Sequence, residues 1–530
     1  MARIILKCKY VNHEGIGVST YNNLPIYIPN FLTNEEAEVQ IVHKGYQKYF
    51  GKILKLLKVS LERVNPECRY YGLCGGCQLQ HMSYDAQLKF KVNYVKELFD
   101  SYNLEFPFEN IYKAETPLFY RHKILAPIEN NERGFYKLQT KEFVKTKTCL
   151  IENYLGQKII NKILEFNLND LTYIYIRVGK YIDNVLLTLV TKNELDIISK
   201  TQINELIKEY PNIKTITQSI KKTSSSGKVL GEEVKVLYGD GYIQDKLLGV
   251  TFNISTNSFY QINPTQTEVL YSKALEYASL TNEELILDAY CGVGTIGLCA
   301  AKKAKHVIGV EIVSDAIENA IENAKINKIE NAEFICKDAK EFIKTSDLNF
   351  DVIFVDPPRK GCDKELLETI MNANIKKIVY ISCDPKSLVR DLDILKDKYE
   401  INKVSLVDLF PNTTHVETVV LLSHKDSNKH INVKVDFDTQ EGKQFLDEII
   451  ENVSSRKPVE RASYPEIKEY ILNKYNVKVS TLNIAQIKAK HGIIERECYN
   501  KPKNENPRQP KCTKEKEDLI VDALKHFEMI

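Results

Sequence analysis

Between about Thr251 and Leu422 six apolar runs, ELILDAY, HVIGVEI, AEFICKDA, FDVIFVDPP, KKIVYISCD and TVVLLS, alternate with helical stretches. Runs this continuously apolar suit strands buried on both faces, because a sheet with one wet face alternates apolar and polar positions. The strand–helix alternation predicts a doubly wound, Rossmann-like α/β domain over residues 251–426, with a crevice at the carboxyl ends of its strands. At roughly 150 residues per domain, the 530-residue chain has room for two or three further bodies.

The flanks read differently. Residues 1–58 carry short alternating runs such as ARIILKCKY and EAEVQIVHK, punctuated by Gly15, Gly17, Pro25 and Pro29, and predict a small β-barrel. Residues 59–250 predict a mixed α+β domain: a cysteine-bearing loop, a helix over Tyr84–Tyr102, and a hairpin in TYIYIRVGKYIDNVLLTLVTK. Residues 427–530 predict a basic helical extension. There DTQEGKQFLDEIIENV is helical, Ser463-Tyr-Pro-Glu466 is a capping box, and Ser480 caps a helix ended by Gly492.

Overall, 73 Lys+Arg against 71 Asp+Glu exclude a wholly basic nucleic-acid protein. Charge is local instead: +4 over residues 1–58, +4 over 121–147 and +8 over 454–514. Such runs are either solvated faces or nucleic-acid contacts. No run of about 18 apolar residues predicts a membrane span, and the first residues lack a secretory pattern. Twelve cysteines, several closely spaced, suit metal binding or catalysis in a reducing cytoplasm.

The run ELILDAY leads straight into Cys-Gly292-Val-Gly294-Thr-Ile-Gly297 and an apolar helix. This is the setting in which a glycine-rich turn lets backbone approach a nucleotide-like ligand. Glu311 ends the next strand, where a carboxylate can accept from two ribose hydroxyls. At this point NAD and S-adenosylmethionine compete. Asp338, after the third strand, can accept from an adenine amino group. Asp356-Pro-Pro-Arg359 forms a rigid edge suited to a planar base. These two features favour the methyl donor over a dehydrogenase cofactor.

Strand KKIVYI delivers Ser382-Cys383-Asp384-Pro385 to the same rim, where Cys383 is either a nucleophile or a small buried apolar residue. Cys8, Cys291, Cys299, Cys336, Cys362, Cys498 and Cys512 are read as buried and apolar. In FPNTTHVETVVLL, His415 is read as structural and Glu417 as a carboxylate able to remove a carbon-bound proton.

Five ordered stretches, Phe259-Tyr-Gln-Ile-Asn263, DAYCGVGTIGL, VDPPRKG, YISCDP and FPNTTHVETV, resemble the S-adenosylmethionine-dependent RNA uracil-5-methyltransferases. The resemblance covers about residues 1–425. It implies that Gln261, Tyr290, Thr295, Glu311, Asp338 and Asp356 hold the methyl donor, with Cys383 as nucleophile and Glu417 as general base. Uracil C5 is a poor nucleophile until a thiolate adds at C6, so a residue that both adds and leaves readily is required. A stacked base must also be flipped out, and Phe259 and Tyr260 are candidates to stack on it.

Cys68-x5-Cys74-x2-Cys77 in YYGLCGGCQ, with Cys149 downstream, supplies four thiols among glycines whose N–H groups can donate to sulfur. Spacing alone suits zinc or a [4Fe-4S] cluster. Resemblance to the ribosomal RNA branch of the family implies the iron–sulfur cluster, and likewise implies that the N-terminal barrel is a TRAM-type RNA-binding domain. The expectation is a monomeric cytoplasmic enzyme methylating C5 of a uridine in 23S ribosomal RNA. A transfer RNA methyltransferase is the neighbouring reading, and a non-catalytic RNA-binding factor on the same fold the more distant one.

Overall fold

The computed structural model describes residues 3–425, apart from 139, 195, 223–228 and 232, together with 464–475, 477–490 and 513–527. Contacts divide the chain into two compact units, Met1–Lys429 and His430–Ile530.

The centre of the first unit is an eight-stranded sheet. In spatial order its strands are Ala332–Cys336, His306–Glu311, Leu285–Ala289, Val352–Val355, Lys377–Ser382, Glu417–His424, Tyr399–Val407 and Phe108–Tyr112. All six runs read as strands form strands. Neighbouring residues alternate between two buried layers: Ile286, Phe354 and Ile381 join one core, and Leu287, Ile353 and Tyr380 the other. Burial on both faces is why these runs read as continuously apolar.

One strand runs against the rest. Glu417–His424 is antiparallel to both neighbours, with Ser382 opposite Thr418. The reversal brings the first residue of this strand to the edge where the parallel strands end. Two members of the sheet were not read from sequence. Tyr399–Val407 mixes charged and apolar residues, and Phe108–Tyr112 is a five-residue edge strand from outside residues 251–426. The helix Tyr84–Ser101 comes from the same earlier stretch, and its Val95 and Phe99 enter the second core. Part of the segment read as a separate central domain therefore builds the doubly wound layer.

Residues 3–58 form a six-stranded sheet around Ile26, Ile28, Phe31 and Val39. A seven-stranded sheet occupies much of residues 123–238, including the expected hairpin Leu171–Val178 with Val185–Thr191. The helices Tyr154–Glu165 and Lys200–Glu209 accompany it, and their Ile160, Ile163, Ile203 and Leu206 pack into its core.

In the second unit the helices Tyr464–Tyr475, Thr481–Lys490 and Lys514–His526 share a small core of Ile467, Ile471, Ile484, Ile487, Ile520 and Leu524. Ser480 caps the second of them, its Oγ accepting from Asn483 N at 3.2 Å. The helix read in DTQEGKQFLDEIIENV, the Ser463 cap, Gly492, Cys498 and Cys512 lie outside the described residues. Among the described residues no helix is long and apolar enough to cross a membrane.

Candidate active site

The glycine-rich turn joins strand Leu285–Ala289 to helix Thr295–Ala300. It requires left-handed backbone at Tyr290 (φ 70°), Gly292 (φ 54°) and Gly294 (φ 81°). A side chain at Gly294 would meet the Phe334 ring at 2.9 Å, whereas Gly292 faces open space. Behind the turn, buried Asp288 accepts from Gly297 N at 2.8 Å through Oδ2, while its Oδ1 has no partner. Burial pushes this carboxyl up to about 8.

Beside the turn lies an open cleft that gathers Tyr290, Glu311 and Asp338. Each acid is already oriented by backbone. Glu311 Oε1 accepts from Ile312 N and Val313 N, and Asp338 Oδ1 accepts from Lys340 N and Glu341 N as the cap of helix Ala339–Thr345. Among the described residues the second oxygen of each carboxylate makes no hydrogen bond, so both present fixed, outward acceptors.

A second group forms around Tyr271, a buried residue of helix Pro264–Ala278 that the sequence reading missed. Its hydroxyl interacts with Thr295 and Gln261 in the field of Asp356, and burial raises it well above the ordinary tyrosine range. Asp356 links this group to a third. Cys383 lies in the fields of Glu417, Asp356 and Arg359, and burial pushes its thiol up to about 12. Glu417, only 3% exposed, is pushed up to about 8 by burial and by Asp356, with Arg359 opposing. Burial alone pushes Asp356 to about 7.

Arg359 was quoted in the sequence but given no role. Its guanidinium is the positive charge that favours the thiolate of Cys383 and the carboxylate of Glu417. His415 packs edge-on against Phe410 at 5.9 Å, and burial, with Arg359 next, lowers its imidazole to about 4. Phe259 is 66% exposed and available for stacking. Tyr260 is not: it belongs to the core, with Arg177 over its ring.

Of the cysteines read as buried, Cys8, Cys291, Cys299 and Cys362 are so, but Cys336 is exposed. The four ligand candidates Cys68, Cys74, Cys77 and Cys149 share one neighbourhood. Gly76 N donates to Cys74 Sγ at 3.4 Å, and Gln157 tethers Cys149 N at 2.8 Å. Burial pushes Cys77 up to about 12, with Cys74 and Cys68 adding to it, and Cys149 also rises through burial. The donor chemistry fits a soft cation or cluster, since mutual repulsion of four thiolates is relieved only by positive charge. Among the described residues no three Cys, His, Asp or Glu side chains converge as ligands.

The mixed sheet with one reversed strand, its glycine turn and its acid-lined crevice define a Rossmann-like methyltransferase. Residues 83–425 match the family model described as tRNA (Uracil-5-)-methyltransferase. A Staphylococcus epidermidis protein described as an uncharacterized RNA methyltransferase is 41% identical over 443 residues, covering 78% of this chain and 96% of that one. A Staphylococcus aureus protein of the same description is 40% identical over 442 residues, with the same coverage. The crystal structure of Pyrococcus abyssi tRNA (uracil-54, C5)-methyltransferase, in complex with S-adenosyl-L-homocysteine, superposes with a TM-score of 0.65 at 28% identity. It covers 79% of this chain and 99% of that one. The chain belongs to the tRNA (uracil-5-)-methyltransferase family, and is an RNA methyltransferase.

Proposed function

We propose that this enzyme transfers a methyl group from S-adenosylmethionine to C5 of a uridine in 23S ribosomal RNA, through a transient bond between Cys383 and C6 of the base. The reading rests on one observation: a thiol and a buried carboxylate meet at the crevice edge beside a glycine turn lined with acceptors. The open backbone at Gly292 and the outward oxygens of Glu311 and Asp338 suit a ligand with ribose, adenine and amino groups. Tyr290, Gln261, Thr295 and Asp356 complete that set.

S-adenosylmethionine, when bound, supplies an electrophilic methyl group. The protein supplies the rest. Cys383 Sγ, as thiolate, adds to C6 of the flipped uracil, and the C5=C6 electron pair moves onto C5 and O4. C5 would then take the methyl group as the donor's S–CH3 bond breaks with its electron pair left on sulfur, and would carry both methyl and hydrogen. Glu417 removes that proton, the C5=C6 bond re-forms, and the thiolate leaves. The resting thiol is neutral, so adduct formation requires loss of the Cys383 proton under the positive field of Arg359.

RNA binding fits the N-terminal sheet, which we infer to be TRAM-like. Its strands present Lys44 over Tyr49 and Lys48 over Phe50, and the turn between them presents Tyr46 at 87% exposure. We also infer that Cys68, Cys74, Cys77 and Cys149 would hold a [4Fe-4S] cluster, zinc being the other occupant that four thiols suit. The cysteine loop and N-terminal sheet favour ribosomal RNA through their resemblance to that branch. The likeness to the Pyrococcus abyssi enzyme across 79% of the chain supports transfer RNA as a second reading.

The test measures labelled methyl transfer into 23S ribosomal and transfer RNA lacking the modification, beside trapping on RNA containing 5-fluorouridine. Methylation of ribosomal RNA with a persistent protein–RNA adduct is expected, and Cys383→Ala should abolish both. Labelling of transfer RNA alone overturns the ribosomal assignment. Product without any trapped adduct overturns the chemistry.

A further inference from the structure

The basic stretch 121–147 takes no part in the methyl-transfer site, and the structure divides it. Arg133 is buried against Glu152 at 2.5 Å, Lys137 pairs with Glu142, and Lys145 pairs with Glu132. Arg121 and Lys123 are different. Neither has a described carboxylate within ion-pair distance.

Two residues apart on an extended chain, Arg121 and Lys123 share one face. Lys123 lies opposite Arg177 in the strand pairing, which adds a third cation to that face. Arg177 is fully engaged. It donates from Nη2 to Tyr260 O at 2.9 Å, from Nη1 to Gln261 O at 3.3 Å and from Nε to the Tyr175 hydroxyl at 3.3 Å. Lys123 Nζ sits 5.5 Å from the centroid of the Tyr175 ring. Burial, then Arg177 and Arg121, pull its ammonium down to about 8. Asp245, which lines the pocket beside Arg177, is occupied by Lys180 N and Tyr181 N. Arg121 and Lys123 have no such acid, and an anion docking beside them relieves their mutual repulsion.

The position is informative. His122 N donates to Ile262 O at 2.8 Å, so this face is stitched to the Phe259–Asn263 stretch. The charge of Arg121 also reaches His415, two residues before Glu417. We propose that Arg121 and Lys123 form an anion subsite that takes a backbone phosphodiester of the RNA beside the target nucleotide, with Arg177 as its fixed floor. This rests on the RNA-methyltransferase reading above and adds the residues that grip the strand.

The test compares full-length wild type with Arg121→Gln, Lys123→Met and Lys145→Gln in RNA binding across a salt series, by fluorescence anisotropy with ribosomal and transfer RNA fragments. Lys123→Met retains the aliphatic stem over Tyr175, and Arg121→Lys is the conservative rescue. Arg121→Gln and Lys123→Met should each weaken binding about 3- to 10-fold and reduce the slope of log affinity against log salt by about 1. Lys145→Gln should match wild type, and binding of S-adenosylmethionine should be unchanged throughout. Wild-type slope and affinity in both variants overturn the subsite, even while RNA is methylated. Weakened S-adenosylmethionine binding with unchanged RNA binding also overturns it, by assigning the anion to the cofactor's carboxylate. Failure of wild type to methylate either RNA would overturn the proposed function instead, while the salt slopes still judge the subsite.

Discussion

At neutral pH the Glu417 carboxyl, raised to about 8, holds a proton that a general base must lose. Resolution of the methylated adduct should therefore rise with pH through about 8, read from its single-turnover decay. In Glu417→Gln the adduct should form but resolve about 10²- to 10⁴-fold more slowly. The same shift affects stability, since the unfolded chain releases this proton near the ordinary 4.5 while the folded one retains it to about 8. Folding stability from this group is present at low pH and lost as pH rises through that interval. Glu417→Gln should thus raise the thermal midpoint relative to wild type at pH 8 and less so at pH 5. Residue types at this scale were legible: a thiol after one strand and a carboxylate before another. The influence of Arg359 and Tyr271 was not, because a charge or hydroxyl acting across space leaves no spacing signal in the chain.

Among the elements, the reversed strand Glu417–His424 and the loop before it bear most on the chemistry, and the helix Tyr84–Ser101 holds that loop. Lys91, fully buried, donates to Asp408 Oδ1 at 2.5 Å and to Phe410 O at 3.1 Å, while Tyr84 donates to Asp408 Oδ2 at 2.8 Å. Gln87 accepts from Asn412 N at 2.9 Å, and Asn412 is left-handed at φ 68°. Burial pulls the Lys91 ammonium down despite Asp408. Lys91→Met leaves a buried carboxylate without its cation, and should cost about 3–5 kcal/mol, read as a lower denaturation midpoint. Adding Asp408→Asn should restore part of the loss. No sequence pattern announced this lock, since its partners lie more than 300 residues apart.

For the whole molecule, every proposed catalytic and cofactor residue falls within Met1–Lys429, while the C-terminal helices have their own core. A chain ending at Lys429 should keep S-adenosylmethionine binding, with methyl transfer to a short RNA within about twofold, as a kinetic assay would show. If the four cysteines carry the cluster, anaerobically purified protein should contain iron and sulfide with brown absorbance, and Cys74→Ser should lose both. Zinc without iron would replace that assignment. The sequence by itself determined six of the eight strands of the central sheet, the glycine turn and the reacting residue types, because apolar periodicity and side-chain chemistry are local properties. Only the tertiary structure decided that Cys383 and Glu417 meet, since that depends on one strand running backward. It also decided which cations of residues 121–147 are spent on acids and which are not, because a lysine's partner is set by the face it shares.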